Sequence, residues 1–301
     1  METIAVFLEA AIRASLPLAL AAYGELLCER AGFVNVGLEG AMIGGALAAA
    51  IGATSGSPLL GYAAGTCAGA IIGVMLAVFT VGLRTNQILT GTAVTAGALG
   101  MTSLLAQAWF GTAGAALTIP MSPPVAIPGL GQIPFVGAAL FRQPLVTYFV
   151  FALIPGIWWA LYRTRVGLAL RATGENPDAV RSSGLSPTHL QSASIVIGSA
   201  LGGVGGSALV LAQAGTFAEG MSAGRGFIAL AVVSLGRWHP LGVAGAALLF
   251  GGTSSLQYLL QALGTDIPYQ FFLALPYVLT LAVLATTGLA RQPAWLGRSL
   301  P

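Results

Sequence analysis

The 301-residue chain is 56% hydrophobic and 7% charged, whereas an average soluble domain carries about 25% charged residues. A mean hydropathy of +0.87 and 42 glycines are typical of a helical membrane protein and leave no room for a large soluble domain. All 12 basic residues are arginine, which excludes the P-loop lysine of nucleotide-binding proteins and lysine Schiff-base chemistry. Because the arginines are scattered, the net charge of +3 does not indicate nucleic-acid binding.

Apolar stretches follow one another along the chain, and each is close to the ~20 residues that a membrane-spanning helix needs. They cover 7–27, 36–54, 58–82, 86–108, 143–162, 191–213, 240–262 and 270–289. A shorter stretch, 226–236, rises only about 16 Å as a helix, so we expect a re-entrant or broken helix there. The predicted fold is an all-α integral membrane protein, a polytopic bundle of about eight or nine membrane segments that forms a single domain over 1–301.

The distribution of arginine predicts the orientation of the chain. The connection 163–190 holds four arginines and the connection 109–142 holds only Arg142, so the positive-inside rule places the first in the cytoplasm and the second outside. Counting spans from there puts the C-terminus inside and the N-terminus outside. The same count places further charged residues inside (Arg84, Arg237, Arg291, Arg298) and outside (Glu219, Arg225, Asp266).

The external connection 109–142 contains five prolines between 120 and 134 together with several glycines, a composition that predicts no helix. It is too apolar for a free linker, so it forms either an ordered lid or a simple connection. Glycines at every fourth position of two spans predict ridges at which another backbone packs closely. These are Gly61, Gly65, Gly69 and Gly73 in one span, and Gly198, Gly202 and Gly206 in another.

The residues of an intramembrane enzyme are missing. The sequence contains neither HExxH nor GxSxG, and its two aspartates, Asp178 and Asp266, fall in polar connections. His189 and His239 lie at span ends without acidic partners, and neither Cys28 nor Cys67 has the spacing of a metal site. The sequence therefore predicts no catalytic residue, no metal site and no cofactor.

The cytoplasmic connection contains the signals of a short, well-capped helix. Gly174 ends a helix that continues from the membrane, after which Asn176 is the N-cap of a new helix with Pro177 at its first position. Asp178 falls in the first turn, and Gly184 closes the helix after about two turns. A helix of this length is not stable alone, and it must therefore pack against another structure. It forms either an elbow in the membrane interface or a coupling element that inserts into a partner protein.

Polar residues in apolar sequence are candidates for the substrate path, because a charge at mid-membrane costs roughly 2.5–3.5 kcal/mol on insertion scales. Asn35 and Glu39 are four residues apart and share a face if that segment is helical; we expect them to form a structural polar lock at the gate. Asn86, Gln87 and Thr90 form a second cluster whose amides are suited to sugar hydroxyls or a base edge. The alternative for all of them is that they satisfy helix ends and one another.

Four segments carry a family resemblance: YGELLCERAGFVNVGLEGAMIGGALAA, TNQILTGTAVTAGALGMTSLL, ATGENPDAVRSSGLSP and GRGFIALAVVSLGRWHPLGVAGAALLFGG. Together they resemble the permease subunits of bacterial ABC importers, in the branch that handles nucleosides and simple sugars and is similar to ribose-type and branched-chain amino acid permeases. The resemblance covers about residues 10–290, and it is closest to the smaller of the two paired permeases of nucleoside importers.

The resemblance implies partners that composition does not reveal. These are a cytoplasmic ATPase with two nucleotide-binding halves, a second homologous permease or a second copy of this chain, and an extracytoplasmic lipoprotein that delivers the substrate, all at the bacterial cytoplasmic (inner) membrane. Contact with the ATPase is expected through the cytoplasmic connection, at Arg171, Gly174, Glu175, Asn176, Pro177, Asp178, Arg181 and Gly184.

The expected function is translocation of nucleosides, with ATP hydrolysed on another chain. Three alternatives stay open at this point: a permease for a simple sugar such as ribose or galactose, a stand-alone secondary transporter, and an intramembrane hydrolase. A secondary transporter is disfavoured because the sequence offers few embedded charges beyond Glu39. An intramembrane hydrolase is disfavoured because its catalytic residues are missing.

Overall fold

The computed structural model describes residues 2–111, 118–129 and 136–262, and then 270, 271, 274, 278, 281, 282, 285, 292–298 and 300. Most of the predicted span 270–289, together with Asp266 and Arg291, therefore lies outside the described residues.

Helices make up most of the described chain. In chain order they are α1 (Glu2–Arg30), α2 (Leu38–Ala53), α3 (Pro58–Ala77), α4 (Gln87–Phe110), α5 (Val136–Phe141), α6 (Leu145–Arg163), α7 (Arg165–Glu175), α8 (Pro177–Ser182), α9 (Pro187–Ala208), α10 (Arg225–Leu235) and α11 (Pro240–Ala262). Helices α3 and α9 each continue in a π-helical segment, over Val78–Gly82 and Leu209–Ala214.

Five helical segments of the described chain are long and apolar enough to cross a membrane: Val6–Arg30, Pro58–Gly82, Gln87–Phe110, Leu145–Arg163 and Pro187–Ala214. The prediction of a helical membrane protein is thus confirmed, while the count of eight or nine segments stays a prediction. Two apolar helices are shorter, α2 and α10. Helix α10 has the half length that the sequence predicts for 226–236.

Helix α9 packs against α1, α2 and α3, and glycine makes these close contacts possible. A Cβ atom added to Gly203 would collide with the backbone of Gly65 and Gly69 in α3, and one added to Gly206 would collide with the carbonyl of Met42 in α2. The predicted glycine ridges are therefore confirmed. Backbones that approach this closely gain packing contacts that larger residues would prevent.

The largest cluster of buried apolar side chains surrounds α1. It joins Leu16, Leu20 and Leu26 of α1 to buried residues of α6, α9, α10 and α11. Since α1 and α9 are the most enclosed of the long segments, they form the centre of the described bundle, and α3, α4 and α6 are more exposed.

The connection 109–142 departs from the prediction at its C-terminal end. Residues Val136–Phe141 form the short helix α5, and Pro124–Ala126 (β1) pairs antiparallel with Arg142–Pro144 (β2). The expectation of no helix is wrong there because no proline falls between Pro134 and Pro144. The ladder is a small addition to an otherwise helical fold.

The connection 163–190 also differs from the prediction in one respect. The helix that precedes Gly174 does not continue from the membrane span, because α6 ends at Arg163 and α7 begins at Arg165. The side chain of Thr164 is the N-cap of α7 and accepts a hydrogen bond from the Gly167 backbone N–H at 3.0 Å. Helix α7 ends at Glu175, one residue beyond the predicted Gly174.

Candidate functional site

Glu39 joins the first turns of α2 and α10. Its Oε1 accepts hydrogen bonds from the Ser222 hydroxyl at 2.6 Å and the Gly224 N–H at 2.9 Å, and its Oε2 accepts one from the Gly226 N–H at 2.6 Å. Glu39 is 4% exposed. Because the first N–H groups of a helix have no partner within the helix, a carboxylate at this position satisfies them and interacts favourably with the helix dipole. The buried acid thus fixes the start of the half-length helix α10.

Asn35 lies in the link between α1 and α2 and contacts different partners from Glu39. Its backbone N–H donates to Glu25 Oε1 at 3.0 Å, and its Nδ2 donates to the Ser199 hydroxyl at 3.0 Å. The two residues do not share a helix face, because the segment at Asn35 is not helical and α2 begins only at Leu38. Asn35 connects α1, the link and α9, and its Oδ1 has no partner in the described part of the chain.

The second polar cluster lies at the start of α4. Asn86 is the N-cap of α4, and its Oδ1 accepts from two backbone N–H groups, at 3.0 and 3.1 Å. Gln87 is buried and joins two backbone segments, accepting from Val34 N–H at 3.2 Å and donating to the Arg298 carbonyl at 3.0 Å. The Thr90 hydroxyl contacts the hydroxyl of Thr85 at 2.7 Å. These contacts place the cluster at the end of the bundle where residues 292–298 lie.

The same end of the bundle is held together around Trp238, in the turn between α10 and α11. The indole N–H of Trp238 donates to Glu29, and the Trp238 carbonyl accepts from the Nε of Arg30 at 2.9 Å. Arg30 also donates to the Tyr162 hydroxyl at 3.1 Å. The C-terminal ends of α1 and α6 and the α10–α11 turn therefore meet at one point.

Helix α7 docks onto this end. Arg171 donates to the Leu161 carbonyl at 3.0 Å, and its guanidinium lies 4.8 Å from the centre of the Tyr162 ring. Gly174 packs directly on the Arg30 carbonyl, where a Cβ would collide, and its own carbonyl accepts from Trp295 N–H at 2.8 Å. Docking supplies the order that a short helix lacks alone.

Helix α8 has the predicted caps. The Asn176 side chain accepts from Ala179 N–H at 3.2 Å, Pro177 is the first helical residue, and Gly184 has a φ of +81°. Asp178 and Arg181 are exposed and form an ion pair at 3.3 Å. Beyond the helix lies a pocket of about 320 Å³, lined by Arg181, Gly184, Leu185, Ser186, Pro187 and Thr188.

Glu219 lies beside α4, where its Oε2 accepts from the Ser103 hydroxyl at 3.0 Å, and Arg225 is the first residue of α10. Their location on the external side of the membrane stays a prediction. The chain re-enters the bundle after α9 because Glu39 binds the turn that precedes α10. The contact between Ser103 and Glu219 was not predicted from the sequence. The one signal for it in the sequence is an acidic residue, Glu219, close to the shortest apolar stretch, 226–236.

A wide apolar groove of about 950 Å³ runs between α2, α3 and α4. Leucine, isoleucine, methionine, alanine and glycine make up most of its lining. In the described part of the chain, no group of three or more His, Cys, Asp or Glu side chains is placed to hold a metal ion.

Residues 7–284 match the family described as branched-chain amino acid transport system / permease component. The chain belongs to this family. Membership makes it a membrane permease, a transport subunit rather than a catalytic enzyme. This agrees with the resemblance seen in the sequence.

Curated relatives of this permease extend over most of the chain. The guanosine ABC transporter permease protein NupQ of Bacillus subtilis is 34% identical over 298 residues, which cover 96% of this chain and 93% of the relative. The nucleoside ABC transporter permease protein NupC of Lactococcus lactis subsp. cremoris is 34% identical, covering 90% and 88% of the two chains. The glucose ABC transporter permease protein TsgB13 of Haloferax volcanii is 29% identical, covering 83% and 69%. No solved structure matches this permease significantly.

Proposed function

We propose that this permease forms half of the translocation path of an ATP-driven importer that carries nucleosides across the bacterial cytoplasmic membrane. The observation that carries the proposal is the 34% identity, over nearly the whole chain, to permeases named for guanosine and nucleosides. The motor is a separate ATPase with two nucleotide-binding halves, which is consistent with a sequence that has no lysine for a P-loop. A second permease, homologous or identical, completes the path, and an extracytoplasmic lipoprotein delivers the substrate.

Transport is coupled to the ATPase through the cytoplasmic connection 163–190, in which α8 inserts into the motor. Support comes from its exposed charges, Glu175, Asp178 and Arg181, and from the docking of α7 through Arg171 and Gly174. Because α7 contacts the ends of α1 and α6, a displacement of α8 reaches two long segments directly. The nucleotide cycle tips these segments between outward-open and inward-open states. This orientation leaves the C-terminus in the cytoplasm.

The gate lies where polar groups are buried inside the bundle. Glu39 and Asn35 form its structural polar lock, since each joins segments that are far apart in sequence. Asn86, Gln87 and Thr90, beside residues 292–298, line the cytoplasmic mouth of the path. This placement is supported by the exposure of Asn86, because a residue that lines the path must be accessible to the substrate.

A sugar permease is the second candidate, because the family also includes a relative named for glucose. The two are separated by measuring binding of uridine, adenosine and ribose to the lipoprotein encoded with this permease, followed by ATP-dependent uptake in proteoliposomes. Uptake of nucleosides but not ribose supports the proposal. Uptake of ribose alone favours the sugar permease, and uptake without any ATPase favours a secondary transporter.

A further inference from the structure

Glu219 is an exposed carboxylate within the length of the helical bundle. It contacts Ser103, which is seven residues before the end of α4 at Phe110, or about 10 Å along the helix axis. Since α4 is long and apolar enough to span a membrane, Glu219 lies beside its outer half and not beyond its end.

The charge of Glu219 is not balanced nearby. The described residues contain no cationic group within 4.0 Å of its carboxylate. Arg225, on the same turn, donates instead to the carbonyls of Met221 and Ser222, at 2.9 and 3.3 Å. An ionised carboxylate at this depth is strongly disfavoured against lipid, so Glu219 must face water, a ligand or a partner subunit.

Exposed small and polar residues recur on the surface of α4 near Ser103, at Thr92, Ala96, Gly100 and Gln107, together with the exposed Leu99. The apolar groove lies on another face of α4, which carries Met101 and Leu105. Thr92, Ser103 and Gln107 therefore give this side of α4 polar groups that are available to a polar solute.

The turn that carries Glu219 is held in place. Three residues further along, the Ser222 hydroxyl binds the buried Glu39, and Gly224 and Gly226 bind the same carboxylate. Glu219 Oε2 accepts from Ser103, and its Oε1 has no partner in the described chain. A fixed carboxylate with free acceptor positions suits a ligand that presents two adjacent hydroxyl groups.

We propose that Glu219, positioned by Ser103, binds the transported molecule in the outer half of the path by accepting hydrogen bonds from two neighbouring sugar hydroxyls. The inference rests on the proposed function, because it identifies the vicinal diol of a ribonucleoside as the group that is recognised. Ser103 and the ligand share the carboxylate, whose two oxygens together accept about four hydrogen bonds.

The test measures maximal uptake rates with the complete transporter in proteoliposomes. Uridine and 2′-deoxyuridine, which lacks one hydroxyl of the pair, are each supplied at concentrations that saturate the lipoprotein. In Glu219→Gln, we expect the ratio of the uridine rate to the deoxyuridine rate to fall about tenfold, because a hydrogen bond to a charged acceptor is weakened. The deoxyuridine rate of the same variant shows that the transporter is folded and coupled. Glu9→Gln is the control, since Glu9 is a partly exposed glutamate that is paired with Arg13 in α1.

Two results would overturn the inference: an unchanged ratio, or an equal fall in both rates, which would assign Glu219 a purely structural role. If the wild-type transporter carries ribose and no nucleoside, the proposed substrate fails separately. Ribose and 2-deoxyribose then replace the nucleoside pair, and the same ratio decides the role of Glu219.

Discussion

Replacing Glu39 with alanine is expected to detach the start of α10 from α2. The side chain satisfies three donors, and two of them, the Ser222 hydroxyl and the Gly226 N–H, belong to buried residues. A buried donor left without a partner costs about 1–3 kcal/mol, so these two alone predict a loss of about 2–6 kcal/mol in the free energy of unfolding.

The assay compares the apparent Tm of the purified transporter with its ATP-dependent uptake. Glu39→Ala is expected to lower the Tm by several degrees and uptake at least about tenfold. Glu39→Gln retains the volume and one oxygen but places an NH2 group against an N–H donor, so an intermediate effect follows. In Glu9→Ala, the lost partner is the partly buried Arg13, and i,i+4 pairs of this kind contribute only about 0.3–0.5 kcal/mol.

A Glu39→Ala transporter with wild-type Tm and wild-type uptake would refute this reasoning. It would mean that water replaces the carboxylate and that packing alone holds α10 in place. A loss of uptake with an unchanged Tm would point instead to a direct contact between Glu39 and the substrate.

Three further predictions concern coupling, packing and orientation. Charge reversal at Glu175 and Asp178, both to arginine, should abolish uptake while the permease still assembles; full uptake by this variant would contradict the coupling role. Gly203→Ala should cost about 1–3 kcal/mol of stability because the methyl group meets α3, whereas Gly100→Ala points into open space and should be near neutral; equal Tm values for the two variants would contradict the packing argument. With the native cysteines replaced, Arg181→Cys should react with an impermeant thiol reagent only after cells are permeabilised; labelling of intact cells would reverse the orientation.

Local signals in the sequence were sufficient for most of the long helices and for the caps of α8. The caps of α8 at Asn176 and Gly184 are as predicted, because capping depends on residues within a few positions of the helix end. The glycine ridge at Gly65 and Gly69 is also readable in sequence, since a spacing of four residues places small side chains on one helix face. The predicted continuation of α6 into α7 is wrong because Thr164 starts a new helix.

Contacts between residues that are far apart in the sequence could not be predicted. Asn35 and Glu39 were identified as polar groups in apolar sequence, but their partners Ser199 and Ser222 lie more than 160 residues away. The position of Glu219 beside Ser103 could not be predicted either, since it depends on how far the chain re-enters the bundle between α9 and α10.

The sequence by itself determined that this protein is a helical membrane permease with a short capped helix, α8. The physical reason is that apolar length, backbone hydrogen bonding within a helix and end capping are all properties of neighbouring residues. Only the tertiary structure decided which buried acid holds which helix end, as with Glu39 and α10, and which hydroxyl group Glu219 contacts, as with Ser103. Those outcomes depend on the packing of segments that meet only when the whole bundle is assembled.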